Sequence, residues 1–197
     1  MPIREINYTK CGVICHGFSE LQIAKYIKSH LRLPIEIWSK DNGRHSIQIV
    51  SLNNFLKDRI FNNVRSFANE CGIKYERKEL VDFKLFIIMD TDDCSESQKK
   101  DFISKKMFEN HPLCKYIVPV FNTPNLEEIL VKSGIMPKKI SDREKGQYYL
   151  KTFPINNNDN KNMNAYDEIS LLRDKLKRVK ETNLDAFVEY TLNLVKK

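Results

Sequence analysis

The sequence predicts an α/β protein: a three-layer sandwich around a mostly parallel sheet, with a helical C-terminal extension. Short apolar runs of strand length stand at 12–15, 35–38, 81–90 and 116–121. Between them lie stretches whose apolar residues recur at three- and four-residue spacing, the signature of a helix with one buried face. Strands that alternate with helices pair most simply in parallel, with helices on both faces. The α/β domain is expected over 1–135, and the extension over 136–197.

In chain order, the first apolar run stops at His16-Gly17, where glycine permits a tight strand-to-helix turn. Ser19 is expected to cap a helix whose apolar face is Leu21, Ile23, Ala24, Ile27 and Leu31. Ile35-Glu36-Ile37-Trp38 alternates as a second strand and runs into a turn-rich loop over 40–45. From Ser46 or Ser51 to Cys71, the positions Leu52, Phe55, Leu56, Ile60, Val64 and Phe67 predict one long helix, stopped by Gly72. Ser95 can cap a helix carrying Phe102, Ile103, Met107 and Phe108, up to Pro112. Pro119 makes the run at 116–121 an edge or bulged strand, because proline cannot donate to the ladder. Asn122-Thr123-Pro124 opens a further helix over 125–133, ended by Gly134.

The last third differs in character. Residues 138–151 are basic, and 155–164 hold seven Asn or Asp residues that predict a loop. Tyr166, Ile169, Leu172, Leu176 and Val179 form one helical stripe, and Phe187, Tyr190, Leu194 and Val195 another. Both need a partner surface, which the α/β body would provide.

A hydrophobic content of 41% with 30% charged residues is that of a folded globular chain and excludes a disordered one. The excess of 33 Lys+Arg over 26 Asp+Glu, a formal charge of +7, suits a polyanionic partner. Five cysteines, an odd count without a CxxC pair, signal neither a disulfide framework nor a zinc knuckle. No apolar stretch reaches the roughly 20 residues of a bilayer span, and Met1-Pro2-Ile3-Arg4-Glu5 has no signal-peptide core. The expectation is a cytoplasmic protein with free thiols and no membrane contact. No Walker loop, GxGxxG, HExxH or GxSxG occurs.

The chemistry concentrates where an apolar run ends in Asp90-Thr91-Asp92-Asp93. On an extended backbone Asp90 and Asp92 would face the same side. Two carboxylates held together repel unless a cation or proton lies between them, and oxygen ligands favour magnesium, manganese or calcium. The plainer alternative is a solvated turn, with Asp93 or Ser95 capping the next helix.

A strand ending in Val13-Ile14-Cys15-His16-Gly17-Phe18-Ser19-Glu20, with a later one ending in Asp90-Thr91-Asp92-Asp93, resembles the Toprim domain of topoisomerases, primases and small nucleases. In that family the first strand carries Glu-Gly, with an acidic residue three places after the glycine, and a later strand carries Asp-x-Asp. The pattern is most similar to RloB-like Toprim proteins of bacterial defence loci, where a segment like Asn122-Thr123-Pro124-Asn125-Leu126-Glu127-Glu128 follows the next strand. The resemblance covers 11–134.

That resemblance implies a Mg2+- or Mn2+-dependent nuclease acting on DNA or RNA, with a role in antiviral defence. Asp90 and Asp92 would hold the ion, with Asp93 as an extra ligand, and Glu20 would assist. Gly17 is the motif glycine, and Glu127 is a supporting carboxylate or an exposed helix-start residue. His16 stands where the family has its glutamate. A histidine there would take over proton transfer and shift the metal preference towards manganese, or it would mark a module that has lost catalysis and binds nucleic acid or a partner protein. Arg44, in Gly43-Arg44-His45, is a candidate phosphate contact. Lys138, Lys139, Arg143, Lys145 and Lys151, interleaved with Tyr148 and Tyr149, suit backbone contacts and base stacking, or form a solvated linker. An activating partner protein and a homodimer are further expectations. A phosphatase on mononucleotides is the third reading, weakened by the lack of an aspartyl-phosphate motif.

Overall fold

Strand β1 (Cys11–Cys15) is buried at all five positions, so it needs a packed layer on each face. The computed structural model, which describes residues 8–155 and 164–195, provides both layers. After β1 come α1 (Phe18–Leu31), β2 (Ile35–Trp38), α2 (Ile49–Phe55), α3 (Val64–Cys71), β3 (Tyr75–Glu76), β4 (Glu79–Leu80) and β5 (Lys84–Asp90). Then follow α4 (Glu96–Ile103), β6 (Ile117–Asn122), α5 (Leu126–Lys132), α6 (Asp142–Thr152), α7 (Ala165–Leu176) and α8 (Leu184–Val195). The main sheet has the order β2-β1-β5-β6 and is parallel throughout, while β3 and β4 form a separate small hairpin.

Because strand side chains alternate, the sheet feeds two cores. Val13, Cys15, Phe86, Ile88 and Val120 face α1, α5 and the C-terminal helices. Ile14, Leu85, Ile87 and Met89 face the side covered by α2, α3 and α4. The extension is bound into the first core through Phe187 and Tyr190, whose rings lie 5.2 and 5.3 Å from Phe86. The fold is therefore α/β, with a central parallel sheet between helical layers.

Strand β6 is an edge strand, as Pro119 requires, and the chain closes that edge itself. Phe121 N–H donates to Asn183 Oδ1 at 2.9 Å, Asn183 Nδ2 donates to Pro119 O at 3.0 Å, and Asn122 bridges Thr182. An edge covered this way offers no free ladder to another strand.

Several local expectations are corrected. The single helix over 46–71 is two, α2 and α3, because polar side chains capture the backbone between them. Asp58 Oδ1 accepts from Ile60 N–H, Asn62 donates to Lys57 O, and Asn63 caps α3 by accepting from Ser66 N–H. Helix α1 starts two residues earlier than a cap at Ser19 predicts, with Gly17 at its N-cap. Helix α4 is capped by Ser95 as expected but stops at Ile103, and the chain turns through Lys105 in a left-handed conformation, φ 67°, into a short 3-10 turn at Lys106–Phe108. The basic stretch, for which no helix is expected, contains one, α6. Most of the Asn-rich loop, 156–163, lies outside the described residues. Among those residues no helix is long and apolar enough to cross a membrane.

Connectivity fixes where a site should lie. From β1 the chain crosses to β2 through α1 on one face, and from β5 it crosses to β6 through α4 on the other. The carboxyl ends of β1 and β5 thus flank a topological switch point, the usual ligand crevice of open α/β sheets.

Candidate active site

His16 and Gly17 follow β1 directly, Asp90 ends β5, and both ends open on that crevice. His16, Gly17, Ser19, Glu20, Asp90 and Lys145 line a cavity of about 350 Å3 there, together with Gly43 and Ser46. Gly43 is required for close approach: its φ is 82°, and a Cβ would lie 2.8 Å from Phe18 Cα at the start of α1.

The backbone of His16 is clamped on both sides, its N–H donating to Ile88 O at 2.9 Å and its carbonyl accepting from Ile47 N–H at 2.8 Å. Its ring Nδ1 lies 2.9 Å from Ile47 O. A carbonyl only accepts, so Nδ1 carries the proton and Nε2 is left as the basic nitrogen. Glu20 is buried, and its Oε2 accepts from Gly17 N–H at 2.9 Å, which ties the first turn of α1 to the end of β1. Asp90 is buried too, with Oδ1 accepting from Asn122 Nδ2 at 3.1 Å and from Leu126 N–H at 3.0 Å. Asn122 in turn accepts from Thr182 Oγ at 2.9 Å, so the C-terminal extension helps hold this carboxylate.

Electrostatics unite these groups. Burial, then the charges of Glu20, Glu127 and Asp92, push Asp90 well above the ordinary carboxylate range, against the pull of Asn122. Burial also raises Glu20, with Glu127 adding to the effect and His16 opposing it. Glu127 behaves oppositely: burial would raise it, but the hydrogen bond and charge of Lys145, with Tyr149, hold it below its ordinary value. Its Oε1 accepts from Lys145 Nζ at 2.7 Å, Ser19 Oγ at 3.1 Å and Tyr149 OH at 3.1 Å. Lys145 is raised despite burial, through Glu127 first and then Glu20 and Asp90. The arrangement is two acids that resist ionisation beside a third that stays ionised under a lysine.

Other expected residues fall elsewhere. Strand β5 ends at Asp90 and Thr91–Asp93 turn, so the alternation that would align Asp92 with Asp90 stops one residue too soon. Asp92 is exposed and accepts from Asn125 Nδ2 at 3.0 Å. Asp93 is raised by burial against the pull of His16, and its Oδ1 is buried without a hydrogen-bond partner among the described residues. Arg44 is exposed on the loop that brings Gly43 to the cavity. Lys151 is exposed on α6, six residues from Lys145 and therefore about 240° around the helix. Tyr149 is fully buried on Glu127, which leaves its ring unavailable for base stacking. Sequence reasoning missed Ser19 and Tyr149 as partners of Glu127, and Asn122 as a partner of Asp90. The i, i+4 spacing of Lys145 and Tyr149 was the one available signal.

Among the described residues no three His, Cys, Asp or Glu side chains gather into a set able to hold a metal ion. Asp90, Asp92 and Asp93 therefore do not form the expected triad. The adjacent buried acids Glu20 and Asp90 do fit a hard, largely hydrated cation, since magnesium is commonly bound through one or two carboxylates and water. No protein-family model, no curated protein and no solved structure matches the chain.

Proposed function

We propose that this protein is a Toprim-like, metal-dependent nuclease that hydrolyses phosphodiester bonds in DNA or RNA, with a role in antiviral defence. The observation that carries the reading is the pair Glu20 and Asp90, each raised by burial and the second also by the first, at the switch point of a parallel sheet. Asp90 and Glu20 would hold Mg2+ or Mn2+, which when bound supplies Lewis-acid polarisation of a phosphate and a more acidic water. His16, with Nδ1–H fixed on Ile47 O, holds Nε2 ready to take or return a proton at the cavity wall. Lys145 presents a cation to the same cavity, and the N-terminus of the 14-residue helix α1 adds a positive dipole end, both suited to an anionic phosphate. The formal charge of +7 favours a polyanionic substrate.

A specific observation also favours a second reading, a catalytically degenerate module that binds nucleic acid or a partner protein. Among the described residues no three-ligand metal set forms, and a histidine stands at the position of the motif glutamate.

One experiment separates the two: cleavage of plasmid, single-stranded DNA and transfer RNA by wild type and Asp90→Asn, with Mg2+, Mn2+ or EDTA. Metal-dependent cutting by wild type that Asp90→Asn loses supports the nuclease. Salt-sensitive binding without cutting, unchanged in Asp90→Asn, supports the binding module instead.

A further inference from the structure

At the opposite end of the sheet lies a second cavity, of about 460 Å3, within the range of small-molecule sites. It opens at the amino ends of β5 and β6, so the seven residues of β5 put it roughly 20 Å from Asp90. Lys10, Lys84, Lys105 and Lys115 line it, against one carboxylate, Asp82. Lys115 is engaged by Glu79 at 2.6 Å, whereas among the described residues Lys10, Lys84 and Lys105 have no ion-pair partner.

Apart from Asn193, the rest of the wall is apolar and aromatic. Phe83, Val118 and Leu194 contribute to it, and Tyr190 is anchored by its hydroxyl, which donates to Lys10 O at 2.9 Å and Asp82 O at 3.2 Å. Lys84 Nζ sits 5.0 Å from the Tyr190 ring centre, a cation–π contact that holds the ammonium at the cavity. Two of the lining residues, Asp82 at φ 53° and Lys105 at φ 67°, adopt left-handed backbone that non-glycine residues rarely take. Such local strain gathers at ligand sites, where the surrounding structure maintains it.

We propose that this cavity binds a phosphate monoester of nucleotide size, with the dianionic phosphate among Lys10, Lys84 and Lys105 and the organic body on the apolar wall. Three ammonium groups without an ion pair, set against the single carboxylate of Asp82, leave the wall positive and match a dianion better than a monoanion. The apolar wall distinguishes an organic ester from free phosphate.

The test is calorimetric titration of the full chain in EDTA with AMP, ribose 5-phosphate, adenosine and inorganic phosphate, on wild type, Lys84→Met/Lys105→Met and Asp90→Asn. The expected result is binding of a phosphate ester in preference to adenosine and inorganic phosphate, weakened about tenfold or more in the double lysine variant and unchanged in Asp90→Asn. Tighter binding of AMP than of ribose 5-phosphate supports a ligand of nucleotide size, and the reverse would overturn it. Absence of binding, equal binding of adenosine or inorganic phosphate, or indifference to the lysine substitutions would overturn the proposal. Loss of binding in Asp90→Asn would also overturn it, by assigning the ligand to the other cavity.

Discussion

Lys145 Nζ lies 2.7 Å from Glu127 Oε1, and that single oxygen also receives the hydroxyls of Ser19 and Tyr149. One carboxylate oxygen thus joins α1, α5 and α6. Lys145→Met would leave Glu127 buried without its counterion. For a pair this incompletely buried the expected loss is about 1–2 kcal/mol, read as a lower melting temperature. The double variant Lys145→Met/Glu127→Gln should recover most of it, because the stranded charge is gone.

Asp90 and Glu20 predict how stability depends on pH. Their folded values lie above the unfolded ones. Their contribution is therefore complete below the ordinary carboxylate range, near pH 4, and is lost as pH rises through the raised values. Glu127 acts in the opposite sense, so the comparison must isolate the pair. In EDTA, Asp90→Asn should melt higher than wild type at pH 8, by roughly 2–4 °C for each kcal/mol of repulsion relieved. The difference should shrink towards pH 4, and Mg2+ should raise wild type more than the variant. Calorimetric scans from pH 4 to 8 check all three outcomes.

Asn122 connects Asp90 to the extension by donating to Asp90 Oδ1 and accepting from Thr182. Asn122→Ala would take from Asp90 Oδ1 one of its two hydrogen bonds, leaving that of Leu126 N–H, and would deprive the buried Thr182 hydroxyl of its acceptor, at a cost of about 1–3 kcal/mol. Urea denaturation measures the loss. Asn122→Asp should be worse at pH 8 than at pH 5, since it sets another carboxylate against Asp90.

The proton-transfer role of His16 predicts a kinetic signature. If the nuclease reading holds, His16→Gln should cut about 100-fold more slowly or worse. A rate unchanged within a factor of about 3 would remove His16 from the chemistry.

The strand–helix alternation was legible because it rests on apolar periodicity, which the two cores enforce on both faces of the sheet. Ser95, Gly72 and Pro119 were readable for the same reason: each acts locally through its own backbone. The β3–β4 hairpin was invisible, since its turn residues Arg77 and Lys78 take positive φ without the glycine or asparagine that announces such a turn. Among site residues, Glu20, Asp90, Glu127 and Lys145 are brought together, while Asp92 is not. Its position depended on where β5 stops, and a strand's last residue is set by the neighbouring backbone: Thr91 N–H already turns to Asn122 O and Pro124 O.

The layer formed by α7 and α8 also bears on how the chain is made. Phe86 and Ile88 emerge from the ribosome long before Phe187 and Leu192, the residues that share their core. Until the last helix appears, the face of the nascent sheet that α1 and α5 cover only in part stays open, and so does the edge at β6. A translating ribosome stalled near residue 160 would therefore hold a chain that attracts chaperones and aggregates, and only completion of α8 renders the product inert to both.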